Sequence, residues 1–500
     1  MLPIPRRYSV ALLIFALALS RFLFRSHFLY DLDSVDFGLA LRRFDPSVYQ
    51  PHPPGYFLYV CLGRLLTRLW PDPNTALVAL SIAASCGAAW FIYLLAQRWY
   101  GPRAALISLI LFLLSPLGWF HGIVALTYIV EAFFSALLGY LCWRVYRGEA
   151  RLAVIASVVY AVAAGFRPSA GLLLGPLWLF SLWRIRGRQR IFAVAAAALA
   201  GLAWFLPMIA ASGGFQNYFE PLLDLWLRVP GQRTMLEAPA LAVARMVTIL
   251  WIFCLCFGFA VPFLLLRRGE KTHHAEDRTF IWAWIGPGLL FFSLVFLNYV
   301  NSGYLLVVSP PLFALVAVRI ESFLARSGRP VLRRAALWAG ALGNCAVFLA
   351  APLYCTHRGV ADFERDLISI RNDFLQHADP RTTLIVGFDS HFLGYRHAGY
   401  YLPDFVTVQY PEVTYPGGKR VFLMRGGDTQ LVAQFSAARF TRFVFFPLPP
   451  GAEYTAYVRE VAAKLPQGAV ERLHFGSQTV LAAPISALSQ LFPTTARDCR

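Results

Sequence analysis

Long apolar stretches separated by short, arginine-rich polar segments dominate the first 354 residues of the chain. Windows of mainly apolar residues, roughly 17 to 25 long as a bilayer requires, fall near residues 8–24, 74–97, 104–120, 123–143, 152–166, 169–183, 191–211, 241–266, 280–298, 304–320 and 335–354. They predict about eleven transmembrane helices, those at 152–166 and 169–183 being the shortest. From Thr356 the pattern changes, and no later segment is long enough to span. GVADFERDLISIRNDFLQHA and YVREVAAKL read as helices, and TTLIVGF, FVTVQY, RVFLM, RFVFFPL and TVLAAPI as strands. The expected fold class is a polytopic α-helical membrane domain over residues 1–354, followed by a small α/β domain over residues 355–500.

Composition agrees with the pattern. The chain is 58% hydrophobic and 14% charged, with a mean hydropathy of +0.55, against roughly 25% charged residues in a soluble protein. The net charge of +18 is a topology signal. Arg6 and Arg7, Arg98 and Arg103, Arg144, Arg147 and Arg151, Arg184 to Arg190, Arg267 to Arg278 and Arg326 to Arg334 fall in alternate connections, which places them and the N-terminus in the cytoplasm. Basic residues dispersed in this way do not form a nucleic-acid surface. By the same parity the α/β domain is extracytoplasmic. The excess of arginine over lysine points to a high-GC bacterial genome and so to a bacterial inner membrane. A cleaved secretory leader at residues 8–24 is not expected, because no small-x-small site follows. Six cysteines lie in or beside apolar segments, whereas Cys355 and Cys499 fall on the exterior, where a disulfide is permitted.

Two exterior loops carry the candidate chemistry. Residues 25–73 include YDLDSVDFGLALRRFDPSVYQPHPPGYFLY, which gathers Asp31, Asp33, Asp36 and Asp45 beside the bilayer. If the segment is helical from Ser34, Asp33 and Asp36 share one face. One such carboxylate can accept a proton from an attacking hydroxyl, or Asp31, Asp33 and Asp36 can hold a divalent cation such as Mg or Mn. Capping of a helix N-terminus is the competing reading. Pro51, Pro53 and Pro54 then stiffen the approach to a juxtamembrane helix at the outer leaflet, with His52 at headgroup depth. The second loop, residues 212–240, has a short helix around Pro221 to Arg228, with Glu220, Asp224, Arg228 and Arg233 available to a phosphate or sugar.

A first span, an exterior loop opening on an acidic motif, a proline motif before a juxtamembrane helix, and a span ending in YLLAQRWYGPRAALISLILFLLSPL together resemble a known group. They are similar to the C-type (GT-C fold) membrane glycosyltransferases of the protein O-mannosyltransferase group, which the lipid A aminoarabinose transferases also resemble. The resemblance covers roughly residues 5–180 and is one of topology beyond. It implies a polyprenyl-phosphate sugar donor, a catalytic role for Asp33, and a donor-phosphate role for His52. The second acidic position of the motif falls on Ser34 here, so that Asp36 is the substitute one turn along. His121 and Glu131 stand where relatives carry an arginine and an aspartate, and an acid within an apolar span is itself a functional candidate.

Arg167, in GFRPSA at the outer face, has the planar fork that clasps a phosphate. Tyr299, Asn301 and Tyr304 offer hydrogen bonds to a sugar. The expected function is transfer of a hexose or pentose from a polyprenyl-phosphate donor to a hydroxyl of a glycan, lipid or protein acceptor outside the membrane, with Asp33 as general base. The alternative is a flippase or transporter of a lipid-linked sugar. Such proteins place ionisable groups near the midplane, often in repeated halves, whereas here these groups crowd at the outer interface.

Overall fold

The computed structural model describes residues 7–499 apart from 229–239, 266–274, 296, 298–301, 326–327, 416–417, 449–451, 467 and 476–477. In chain order its helices are α1 (Arg7–Leu23), α2 (Leu32–Arg42), α3 (Phe57–Leu66), α4 (Pro73–Tyr100), α5 (Pro102–Leu113), α6 (Pro116–His121), α7 (Tyr128–Tyr146), α8 (Ala153–Phe166), α9 (Pro168–Trp183), α10 (Arg188–Ala211), α11 (Phe215–Arg228), α12 (Ala240–Phe257), α13 (Pro262–Leu265), α14 (Ala275–Leu294), α15 (Ser309–Ala325), α16 (Pro330–Ala350), α17 (His357–His377), α18 (Tyr395–Tyr401), α19 (Ala452–Lys464) and α20 (Leu488–Leu491). The strands are β1 (Thr383–Phe388), β2 (Val406–Tyr410), β3 (Val413–Tyr415), β4 (Gly418–Arg425), β5 (Asp428–Val432), β6 (Phe435–Ser436), β7 (Arg442–Phe445), β8 (Glu471–Phe475), β9 (Gln478–Pro484) and β10 (Ala496–Arg497). The chain forms two compact units, Met1–Ser26 with Tyr56–Gly359, and His27–Gly55 with Val360–Arg500. The polar segment carrying the aspartates therefore folds with the C-terminal part of the chain, which a cut at residue 354 does not capture.

The first unit is an α-helical membrane body. Pro73–Tyr100, Tyr128–Tyr146, Arg188–Ala211, Val243–Ala260 and Ser302–Ala325 are each long and apolar enough to cross a bilayer, and shorter apolar helices accompany them. The stretch read as one span at 104–120 is broken. Pro116 lacks an amide hydrogen and disfavours a helical Ser115, so α5 stops at Leu113 and Ser115 caps α6, its Oγ accepting from the Gly118 amide at 3.1 Å. The next helix starts at Tyr128 rather than at 123. Helix α7 is central, packing against α4, α8, α9 and α15. Gly139 lets Trp284 approach it, since a Cβ there would lie 1.8 Å from the indole, and the indole Nε1 donates to Ser135 Oγ at 2.8 Å. Helix α10 instead leaves Ile191, Phe192, Leu199, Leu202 and Leu206 exposed, as a lipid-facing helix must. Cys355 is buried in this unit and is a free thiol, as is Cys499 of the other.

The second unit is built on a mixed sheet of order β3-β4-β2-β1-β7-β9-β8, with β5 also paired to β4. Strand β1 runs parallel to β2 and β7, and every residue of TLIVGF is buried, as a strand covered on both faces requires. Helix α17 buries Val360, Phe363, Leu367, Ile370 and Phe374 at alternating spacings of three and four, and its Phe374 packs on Phe405, Phe446 and Phe475. Helix α18 is the crossover between the parallel strands β1 and β2. Gly387 of β1 allows it to sit close, because a Cβ there would lie 2.5 Å from Tyr395 Cα. Gly38 does the same for α2, whose surface meets Leu29 and Tyr400. Strand, crossover helix and acidic helix are thus stacked closely in that order.

Candidate functional site

The acidic segment is a helix whose polar end is surrounded by side chains from three places in the sequence. Asp31 is the N-cap of α2, its Oδ1 accepting from the Asp33 amide at 2.9 Å. Asp33 lies in the first turn, where the helix end favours negative charge, and Asp36 follows on the same face. The chain then folds back through a bridge between Asp45 and Gln50 and a 3-10 turn at Pro46–Val48. That return brings His52 to the carboxylates, with Nδ1 3.5 Å from Asp33 Oδ1 and 3.5 Å from Asp36 Oδ2. Its ring leans on Phe37 at a centroid distance of 5.7 Å.

His391 and Arg396 also belong to this site, and the sequence reading missed both. Arg396 Nη1 lies 2.9 Å from Asp36 Oδ1, with both side chains 2% exposed. The guanidinium also reaches the Tyr49 and Val48 carbonyls at 3.4 Å and lies over the rings of Tyr49, Tyr395 and Phe422. His391 Nδ1 is 3.7 Å from Asp31 Oδ2, and its carbonyl accepts from the Leu32 amide at 2.8 Å. Both follow the C-terminal end of β1, the edge at which open α/β sheets place their ligand sites. The available signal was DSHFLGYRH, an aspartate, an arginine and two histidines directly after a buried apolar strand.

The three residues nearest one another differ in exposure. The Asp33 side chain is 21% exposed, that of His52 14% and that of Asp36 2%, so Asp33 is the carboxylate that solvent or a substrate reaches. Burial pushes the Asp36 carboxyl up to about 6, against the pull of Arg396 and His52. Burial works against a charged His391, but its ion pair with Asp31 and the nearby charges of Asp33 and Asp389 outweigh it, so that His391 is pushed up to about 9.

The neighbouring His397 moves the other way. Burial, aided by the charge of His391, pushes it down to about 4, whereas an unfolded chain protonates histidine near 6.5. Its contribution to stability is therefore present above about pH 6.5 and lost as pH falls towards 4. Asp36, raised in the folded state, slopes oppositely in this window, so the informative quantity is a difference. The stability advantage of the wild type over His397→Asn is expected to shrink by on the order of 3 kcal/mol between pH 7 and pH 4, read from denaturant unfolding at a series of pH values.

Asp33, Asp36 and His52 each offer one ligand atom, and these atoms lie within 4.8 Å of one another. Two carboxylate oxygens and an imidazole nitrogen suit Mn or Zn somewhat better than Mg, which prefers oxygen alone. Asp31, read from sequence as a third carboxylate ligand, is outside this group. Its oxygens serve the Asp33 amide and His391, so His52 stands in its place.

The remaining candidates gather in the membrane unit. Arg167 Nε lies 2.9 Å from Glu131 Oε2 and 3.1 Å from Ser169 Oγ, its Nη1 donates to Thr127 Oγ1, and Ser169 Oγ donates to Glu131 Oε1 at 2.7 Å. The rings of Tyr128, Tyr304 and Tyr56 surround the guanidinium at 4.1, 5.4 and 5.7 Å. His121 lies against Tyr128 and 3.4 Å from Ser302 Oγ. Glu220, on α11, accepts from Gln216 at 2.6 Å. Arg233, Tyr299 and Asn301 lie outside the described residues, as does the side chain of Arg228.

A helical membrane body with a C-terminal β-sheet domain is the GT-C fold expected from sequence, and its likeness is to solved structures of that fold. The chain is similar over nearly its whole length to ArnT from Cupriavidus metallidurans. With ArnT bound to undecaprenyl phosphate the TM-score is 0.55 at 14% identity, covering 95% of this chain and 98% of that one. With the apo state it is 0.53 at 11% identity, covering 95% and 97%. A looser likeness, with a TM-score of 0.43 at 15% identity over 88% of this chain and 69% of that one, is to the oligosaccharyltransferase AglB from Archaeoglobus fulgidus in complex with an inhibitory peptide and a dolichol-phosphate. No family model matches the sequence, and no curated protein sequence matches it.

Proposed function

We propose that this chain is a glycosyltransferase that moves a sugar from a polyprenyl-phosphate donor to an acceptor hydroxyl on the outer side of a bacterial inner membrane. The observation that carries the reading is the graded trio, in which a reachable Asp33 stands beside His52 and a buried, charge-paired Asp36. The full-length likeness in fold to ArnT bound to undecaprenyl phosphate supports the donor class.

In the proposed reaction Asp33 accepts the proton of the acceptor hydroxyl as its oxygen bonds to the anomeric carbon. The bond from that carbon to the phosphate oxygen breaks, and polyprenyl phosphate leaves with the electron pair. Attack opposite the leaving phosphate inverts the anomeric centre. His52 faces the donor phosphate, while Glu131 and Arg167 hold the packing of the membrane unit. A divalent cation on Asp33, Asp36 and His52, when bound, would supply charge stabilisation for the departing phosphate.

The test is release of undecaprenyl phosphate by purified protein in nanodiscs supplied with a panel of radiolabelled undecaprenyl-phosphate pentoses and hexoses. Movement of these lipids across vesicles with the sugar–phosphate bond intact would instead identify a flippase. Binding of Mn, followed by its electron paramagnetic resonance signal, is expected to weaken by at least about tenfold in His52→Ala, as loss of one protein ligand from a three-ligand site requires.

A further inference from the structure

The C-terminal part of the chain has no role in the reaction as written, yet it holds the acidic helix. Asp36 is enclosed, and its Oδ1 is bound by Arg396 at 2.9 Å, while the other oxygen, Oδ2, points to His52 at 3.5 Å. The two oxygens of one carboxylate thus join a residue of α18 to the proline segment. Arg396 is fixed in its turn by the Tyr49 and Val48 carbonyls and by three aromatic rings, so that it touches both arms of the segment that carries Asp33 and His52. The close approaches at Gly387 and Gly38 leave α18 and α2 little room to slide.

We propose that Arg396 is a positioning residue for the transferase site, orienting Asp36 so that it serves as the second carboxylate beside Asp33. This rests on the reading of the acidic cluster as that site. Ser34 occupies the position directly after Asp33 and is no acid, and Asp36 is useful only if something buried with it balances its charge and fixes its rotamer. Arg396 does both. Removing one partner of a buried pair leaves an uncompensated charge, whereas removing both does not.

The experiment uses the full-length protein in nanodiscs, with Arg396→Gln, Arg396→Lys, Asp36→Asn and the double variant Asp36→Asn/Arg396→Gln. Two readouts are taken on each, undecaprenyl phosphate release and amide hydrogen exchange over residues 32–42. Arg396→Gln is expected to lower kcat by at least about tenfold with the donor KM little changed, and Arg396→Lys to restore part of it. Exchange over α2 should rise in Arg396→Gln and return towards wild type in the double variant, whose turnover equals that of Asp36→Asn alone, as expected when one residue acts through the other. Turnover of Arg396→Gln within about twofold of wild type, unchanged exchange over α2, or losses that multiply in the double variant would each overturn the proposal. If the wild type itself releases no undecaprenyl phosphate, the transferase reading fails, and the exchange data still decide whether Arg396 orders the acidic helix.

Discussion

Asp33→Asn is expected to reduce transfer by about 10²- to 10⁴-fold, the range in which a positioned general base contributes, while leaving the fold nearly untouched. Asparagine has the shape of aspartate and fits the first turn, and the side chain it replaces is partly exposed. The interaction of the carboxylate with the helix N-terminus accounts for about 0.3–1 kcal/mol of the stability cost, to which loss of its pairing with His52 adds. Asp36→Asn is the contrasting control, because it strands the buried Arg396 guanidinium. A larger loss of turnover in Asp33→Asn, with marked loss of thermal stability only in Asp36→Asn, separates chemistry from support. Full transfer activity in Asp33→Asn with a competent donor would remove that residue from the reaction.

Arg167→Met is expected to be the most destabilising single change in the membrane unit. It leaves Glu131 buried at 1% exposure without its cation and removes the group around which Tyr56, Tyr128 and Tyr304 are arranged. Breaking a buried pair from one side costs about 3–5 kcal/mol. A second change at Glu131 to glutamine should return much of this, since no bare charge then remains. Thermal unfolding of the single and double variants in the same nanodiscs measures both effects. A stable Arg167→Met that has lost donor affinity would instead place the guanidinium on the donor phosphate.

Legibility in the sequence followed the range over which each signal acts. Apolar windows such as 74–97 and 191–211 found α4 and α10 because a bilayer imposes length and composition together. The break before Pro116 was hidden, since the residues on both sides of it are apolar. In the C-terminal unit the runs TLIVGF and VTVQY announced buried strands, but α18 reads YRHAGYY, and its polar residues are buried rather than exposed. Asp31 falls outside the Asp33, Asp36 and His52 group because its side chain turns back as the N-cap of α2, which counting aspartates by spacing does not show. Arg396 and His391 carried no local signal of their own, and only the position of DSHFLGYRH after a parallel strand pointed to them.

The linkage of the acidic loop to the C-terminal part also sets when the site exists. The bond from the Leu29 amide to Tyr401 Oη joins residues 372 positions apart. At a synthesis rate of about 5–20 residues per second, roughly 20 to 70 s pass between emergence of the two partners. Through that interval Asp36 has no Arg396, and the loop has no sheet to fold against. The acidic helix is therefore among the last parts of the molecule to find its partners, and a chain interrupted before β1 lacks every contact that Arg396 and Tyr401 supply to it.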